Sequence, residues 1–161
     1  MTTGEYNQIV KLHADSLYRY LLKNIRNEER ANDLVQDSFE KLWRNCNDIS
    51  FSKAKSYLFS IAHNTMVDMI RKEKRMVVTE TSELPQNSHS KQYSDLKEIL
   101  DEGLKKLPEI QRSVLLLRDY EGYNYEEIGE ICKLNESQVK VYIYRSRVFL
   151  KNYIGEMERV L

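Results

Sequence analysis

The chain has 161 residues, of which 41% are hydrophobic and 31% charged, and its formal net charge is zero. This length suits one ordinary domain or two small ones, and the low content of Gly and Pro favours helix over sheet. Apolar runs stop at four residues (114–117) and no signal segment opens the chain, which predicts a cytoplasmic protein and excludes a membrane span.

Three amphipathic helices are predicted in the first part of the chain. The first has an apolar stripe at helical spacing, formed by Ile9, Leu12, His13, Leu17, Tyr20 and Leu21. The second begins near residue 30, and its apolar face consists of Leu34, Val35, Phe39, Leu42 and Trp43. A loop at 45–53 precedes a third helix, at about 54–75, whose inward residues are Tyr57, Leu58, Ile61, Ala62, Thr65 and Met69.

Residues 76–95 interrupt the helical pattern. They are rich in Ser, Thr, Asn and Gln and contain one of the two prolines, which is typical of a flexible linker. The sequence therefore predicts two small helical domains, at 1–75 and 96–161. In the second, a helix begins near Leu96 and ends near Leu107, and Pro108 suits the first turn of the next one. Strand patterns are nearly absent, so the expected fold class is all-α.

Two capping sequences mark the last two helices. Asn124 and Asn135 are each followed three residues later by Glu or Gln, so each side chain can bond the other residue's backbone amide. Although Val139, Val141 and Ile143 alternate as in a strand, the helical period covers the whole segment through Tyr153. Two capped helices joined by a brief turn predict a helix-turn-helix. An ordinary helical hairpin with a solvated basic face is the alternative.

Charge is unevenly distributed around this motif. Residues 119–130 contain five acidic and no basic side chains, whereas 137–151 contain four basic and no acidic ones. Binding surfaces are local, so a basic helix in a neutral protein is still a candidate nucleic-acid surface. Helical projection of this helix puts Val139, Tyr142, Ile143, Ser146, Phe149 and Leu150 on its inward face.

Three segments carry a resemblance to a known family. Residues 107–147, from L-P-E-I-Q-R-S-V-L-L-L-R to V-Y-I-Y-R-S-R, resemble region four of bacterial sigma factors. D-L-V-Q-D-S-F-E-K-L-W at 33–43 resembles region 2.2, and Y-L-F-S-I-A-H-N-T-M-V-D-M-I-R-K-E-K-R at 57–75 resembles regions 2.3 and 2.4. The order of these segments is similar to that of the small extracytoplasmic-function (ECF) group.

The resemblance implies a transcription initiation factor that binds core RNA polymerase, directs it to promoters and aids DNA opening. It implies contacts with the beta-prime clamp coiled coil and the beta flap, and no cofactor, metal or catalytic site. It also implies an anti-sigma factor as partner, by which the protein would be held at the inner membrane. The core-polymerase surface would be an exposed ridge, for which a merely solvated face is the alternative. Its residues are Asp33, Gln36, Asp37 and Glu40.

The same resemblance implies two DNA-binding sets. Those for the minus-ten element are Asn64, Asp68, Arg71, Lys72, Lys74 and Arg75, with an unstacked base held near the 45–53 loop. Those for the minus-thirty-five element are Glu136, Ser137, Lys140, Val141, Tyr144, Arg145, Arg147 and Lys151. His63 is expected to be a surface histidine, Leu34, Phe39 and Trp43 to be core, and Gly129 to allow a close approach.

Two other classes of protein compete with this interpretation. A stand-alone helix-turn-helix transcription regulator would need a dimerisation surface for paired half-sites, and no apolar surface stripe supplies one. A helical protein-interaction module would tolerate charge reversal at Arg71 and Lys140. An enzyme is not expected, because Cys46 and Cys132 are far apart and no metal-spaced or nucleophile motif is present.

Overall fold

A computed structural model describes residues 1–76 and 95–160 of the chain. The N-terminal unit consists of α1 (Thr3–Ile25), α2 (Glu28–Arg44) and α3 (Phe51–Met76), with a 3-10 turn at Cys46–Asp48. The C-terminal unit consists of α4 (Asp95–Lys106), α5 (Glu109–Leu115), α6 (Tyr125–Cys132) and α7 (Glu136–Val160), with a π turn at Leu116–Tyr120. Within the described ranges no strand is present, and the predicted all-α class is confirmed. The proposed linker lies almost entirely outside these ranges.

Side-chain caps set where the first two helices begin. The Thr2 hydroxyl accepts from the Glu5 amide at 3.1 Å, and the Glu5 carboxylate accepts from the Thr2 amide at 2.8 Å. Asn27 accepts from the Arg30 amide at 3.0 Å, so α2 begins two residues earlier than its apolar pattern indicates. The expected loop before α3 is shorter than predicted, because α3 already begins at Phe51.

The core of the N-terminal unit follows the predicted stripes with three exceptions. Leu34 and Phe39 are buried as expected, but the predicted inward residues Leu12, Trp43 and Tyr57 are 58%, 45% and 39% exposed. Trp43 packs edge-on against Tyr6, with 4.9 Å between ring centroids, at the rim of the helical bundle. These three predictions were wrong because each helix buries only a narrow stripe, and apolar residues at the edges of that stripe stay in contact with solvent.

In the C-terminal unit both predicted capping boxes are present. Asn124 and Asn135 each accept a hydrogen bond from the amide three residues on, at 2.8 Å in both cases. Pro108 is the residue before α5 rather than a member of its first turn. The close approach expected at Gly129 is confirmed, because a Cβ there would lie 2.6 Å from the Leu134 carbonyl oxygen.

The two units pack against each other and share a continuous hydrophobic core. Helix α3 lies against α6, while α1 contacts both α4 and α5. This packing brings the predicted minus-ten helix, α3, against the helix-turn-helix formed by α6 and α7.

Gly129→Ala should lower the free energy of unfolding by about 1–3 kcal/mol. The new methyl group would collide with the Leu134 carbonyl, which outweighs a gain of about 1 kcal/mol in helix propensity. Gly155→Ala is the matched control in α7, since a Cβ at Gly155 meets nothing within 4 Å. Chemical denaturation should show Gly155→Ala unchanged or more stable. Equal stability of the two variants would contradict the close-approach explanation.

Candidate polymerase-binding and DNA-binding surfaces

The acidic ridge lies on the solvent side of α2. Asp33, Gln36, Asp37 and Glu40 are all exposed, opposite the buried Leu34, Phe39 and Leu42. Glu40 pairs with Arg44 one turn on, with 2.5 Å between Nη2 and Oε1, whereas no ion pair within the described ranges engages Asp33 or Asp37. The carboxylates of Asp33 and Asp37 are therefore free to meet basic residues of another molecule.

The predicted minus-ten residues lie on the second half of α3, and three of them face the C-terminal unit. Asn64, Asp68 and Arg71 line a cavity of about 480 Å³. Its opposite wall includes Glu109 and Lys133 from the C-terminal unit. Lys72, Lys74 and Arg75 are exposed on the last turns of α3, beyond this cavity. Asn64, Asp68 and Arg71 therefore lie together at the cavity, whereas the basic residues at 72, 74 and 75 lie apart from them.

His63 does not lie on the surface, contrary to the sequence-based expectation. It is 4% exposed, and its Nδ1 is 3.0 Å from the Tyr20 hydroxyl. Burial, with a smaller contribution from Lys133, lowers the pKa of His63 from 6.5 to about 4. The expectation was wrong because the pattern of α3 alone does not show that the C-terminal unit covers the helix face on which His63 lies.

A buried hydrogen-bond network crosses the interface between the units. Asn24 Oδ1 accepts from Arg112 Nε at 3.0 Å and from Ser113 Oγ at 3.2 Å. Arg112 Nη1 also donates to the Leu107 carbonyl at 3.2 Å, and burial lowers the pKa of Arg112. Asn24 in turn donates to the Tyr20 carbonyl at 3.0 Å. Sequence reasoning missed this network, although a polar Asn24 four residues after Tyr20 on an apolar stripe is a detectable signal.

Aromatic rings extend the interface beside this network. Phe59 lies between Tyr20 and Tyr123, with ring centroids 5.7 Å and 5.3 Å away. The ammonium of Lys55 lies 4.6 Å from the centre of the Tyr123 ring. At the edge, Arg19 contacts both carboxylate oxygens of Glu121, at 2.9 and 3.1 Å. The interface therefore combines apolar burial with directional polar contacts.

Helix α7 presents the predicted reading residues to solvent. Ser137, Lys140 and Val141 are exposed, and Tyr144 is 69% exposed. Val139, Ile143 and Ser146 are buried on the opposite face, and Ser146 donates to the Gln111 carbonyl at 3.2 Å. Tyr142 packs against the core as projected. Phe149, which was expected to face inward, is exposed and stacks on Tyr153, since it lies at the edge of the buried stripe.

The cations of α7 differ in their surroundings. Lys140 pairs with Glu136 at 3.3 Å, and Arg147 contacts Asp119 at 2.5 and 3.2 Å. Arg145 and Lys151 are exposed and have no acidic partner in the described part of the chain. Lys140 also lies 5.6 Å from the ring centre of Tyr125, the first residue of α6. This face combines positive charge with exposed aromatic and apolar side chains.

Comparisons with known proteins agree with this architecture. The family description Sigma-70 region 2 matches residues 9–76, and Sigma-70, region 4 matches residues 97–150. The RNA polymerase sigma factor SigV of Bacillus subtilis is 31% identical, and the match covers 83% of this chain and 81% of SigV. The B. subtilis sigma factor YlaC is 30% identical over 89% of this chain and 88% of YlaC. The ECF sigma factor SigM of the same organism is 29% identical over 90% of this chain and 92% of SigM.

The chain belongs to the ECF group of RNA polymerase sigma factors. As a sigma factor it directs RNA polymerase to promoters, and its partners are the core enzyme and promoter DNA. The stand-alone regulator is not favoured, because both sigma regions are present in one chain. Proteins of this family act by binding and are not enzymes.

Two solved structures share the fold. RpoE from Bartonella quintana, in complex with the anti-sigma factor NepR, superposes with a TM-score of 0.80 and 24% identity, covering 93% of this chain and 96% of RpoE. CnrH, in complex with the cytosolic domain of CnrY, gives a TM-score of 0.69 at 22% identity, covering 94% of this chain and 88% of CnrH. Among the described helices of this ECF sigma factor, none is long and apolar enough to cross a membrane.

His63 should make the sigma factor less stable in mild acid. An unfolded His63 takes up a proton below pH 6.5, but the buried one does so only below about 4. The free energy of unfolding therefore decreases, by an amount on the order of 3 kcal/mol, as the pH falls from 6.5 to about 4. Below about pH 4 it decreases no further through this residue. His63→Gln retains hydrogen-bonding groups without titrating. Denaturation at several pH values should show a flatter profile for His63→Gln, and identical profiles would contradict the assignment.

Asn24→Ala should open the interface between the units. It leaves the Arg112 and Ser113 donors without their acceptor while the units are packed, but both donors regain water when the units separate. Cys132 lines the cavity beside His63 and is buried, and burial raises its pKa to about 12. In a Cys46→Ser background, thiol labelling of Cys132 should accelerate by roughly ten-fold or more.

Ser146→Ala is the control for this labelling experiment. It also removes a buried hydrogen bond, but one that lies entirely within the C-terminal unit. Acceleration of Cys132 labelling by the same factor in both variants would contradict a specific role of Asn24 at the interface.

Proposed function

We propose that three separate surfaces of this sigma factor make the contacts that it needs in transcription initiation. The acidic ridge of α2 binds the beta-prime clamp of core polymerase, and the second half of α3 binds the minus-ten element. The start of α7 reads the minus-thirty-five element in the major groove. The corresponding domain limits are 1–75 and 96–161, joined by residues 76–95.

The exposed face of α7 is the observation that supports this proposal most directly. Lys140, Val141 and Tyr144 are exposed at the N-terminal half of a helix whose opposite face is buried. A recognition helix needs this arrangement, because one face enters the groove while the other anchors it to the first helix of the motif. Lys140 supplies hydrogen-bond donors, and Val141 and Tyr144 supply apolar contact for base edges.

The packed arrangement of the units implies a further step. Elements named for positions minus ten and minus thirty-five are separated by 25 base pairs, which is roughly 85 Å of duplex. A compact chain of this length has a radius of gyration of about 15 Å, so packed units cannot contact both elements. We therefore infer that the interface around Asn24 opens before promoter binding, which also removes the C-terminal wall of the cavity that Asn64, Asp68 and Arg71 line.

An anti-sigma factor is the second proposed partner, and its attachment to the inner membrane would hold the sigma factor there. The support is family resemblance, since the similar RpoE is described in complex with the anti-sigma factor NepR, and CnrH in complex with the cytosolic domain of CnrY. A protein seated on the α2 ridge would block access to core polymerase. Co-purification of the sigma factor with a membrane fraction, lost in Asp37→Arg, would support this partner.

Run-off transcription tests the two principal surfaces. Purified core polymerase is given pooled genomic promoter fragments with the wild type, Asp37→Arg or Lys140→Glu. Wild type should produce discrete transcripts that Asp37→Arg abolishes, because the ridge no longer meets basic residues. Lys140→Glu should abolish or redirect them at unchanged affinity for core polymerase, measured separately by fluorescence polarisation.

Two matched charge reversals control for nonspecific effects. Asp15→Arg changes an exposed acid of α1, and Lys105→Glu changes an exposed base of α4. Both should transcribe like the wild type. The proposal fails if the wild type neither binds core polymerase nor directs any start, or if the control variants lose as much activity as the surface variants.

A further inference from the structure

A π turn places a carboxylate against the recognition helix. In Leu116–Tyr120 the helix widens, and the Glu121 amide donates to the Leu116 carbonyl at 3.1 Å. One extra residue in a turn rotates the side chains that follow by about 100° relative to a continued α-helix. Asp119, within this turn, contacts α7, and Glu121, just after it, contacts α1.

Asp119 holds Arg147 with both carboxylate oxygens. Arg147 Nη2 donates to Oδ1 at 2.5 Å and Nε donates to Oδ2 at 3.2 Å. The hydrogen bond to Asp119 is the main reason that the pKa of Arg147 is raised. A guanidinium uses the same two-pronged geometry to bind phosphate. The Nε and Nη2 edge of the guanidinium is therefore already occupied by a carboxylate, and its positive charge is paired.

This pair differs from the other ionic contact of α7. Glu136 and Lys140 form a single contact one turn apart on the same helix, which is an ordinary surface pair. Arg147 is instead tied to a segment 28 residues earlier in the chain. Arg145 and Lys151, on the same helix, have no acidic partner in residues 1–76 and 95–160. Of these cations, Arg147 is thus held by a fixed feature of the fold.

We propose that Asp119 stands in for a backbone phosphate at Arg147 and thereby weakens binding of this sigma factor to DNA of any sequence. Phosphate contacts supply nearly all of non-specific DNA binding and carry no sequence information. Occupying one cation therefore lowers affinity for duplex in general, while Lys140, Val141 and Tyr144 remain free to read bases. The inference rests on the proposed placement of α7 on DNA.

The expected effect is modest because both side chains are partly exposed, at 52% for Arg147 and 36% for Asp119. Exposed pairs are weak in water, so Asp119→Asn should tighten binding to a duplex without promoter elements by roughly two- to five-fold. One additional phosphate contact should also steepen the slope of log affinity against log salt by about 0.9.

The test uses the full chain and a short fluorescent duplex without promoter elements, with anisotropy measured between about 50 and 200 mM KCl. Glu126→Gln is the matched control, because Glu126 is an exposed acid in the first turn of α6 with no ion pair in the described part of the chain. Both variants gain one unit of charge, but only Asp119→Asn frees Arg147. Retention on heparin, a polyanion without bases, is a second measurement of affinity for negative charge.

Asp119→Asn should bind more tightly than Glu126→Gln, elute from heparin at higher salt, and have no effect in an Arg147→Gln background. Weaker binding by Asp119→Asn would show instead that the pair only positions α7 and would overturn the proposal. The proposal would also be overturned if Asp119→Asn changed duplex affinity and heparin retention by no more than Glu126→Gln does. Run-off transcription by the same wild-type preparation tests the proposed function independently of this result.

Discussion

The buried guanidinium of Arg112 is the interaction on which the arrangement of the two units depends. A charge removed from water is tolerated only where acceptors replace the water it loses. The Leu107 carbonyl supplies one acceptor within the C-terminal unit, and Asn24 of α1 supplies the other across the interface. Because Asn24 also bonds Ser113, the second unit has a defined position relative to α1. That position brings α6 against α3 and buries His63.

The charge pattern of this sigma factor has a related physical logic. A net charge of zero conceals an acidic ridge on α2 and a basic face on α7, which are suited to different partners. Within the C-terminal unit, acidic side chains lie close enough to basic ones to compete with an external anion for them, as Asp119 does at Arg147. Under the proposed placement of α7 on DNA, this pairing limits the electrostatic attraction of the protein to duplex, and promoter recognition depends more on base contacts and on the polymerase.

Much of the fold and part of the site were predictable from local signals. The capping boxes at Asn124 and Asn135 and the helical spacing of α7 act over a few residues, so the sequence predicts them directly. The solvent exposure of the α2 ridge and of the start of α7 follows from the same periodicity. The errors at Trp43 and Phe149 occur where apolar side chains sit at the edge of a buried stripe, and their exposure depends on what packs beside them.

The sequence by itself therefore determined the helices, their caps, their buried faces and, through the quoted motifs, the sigma family. Only the tertiary structure decided which polar residues are buried: Asn24, His63 and Arg112 are ordinary surface types whose partners lie 43 to 89 residues away. Tertiary packing also decided that Arg147 meets Asp119 rather than solvent. The physical reason is that burial and ion pairing depend on contacts between distant segments, whereas caps and helical periodicity depend on near neighbours.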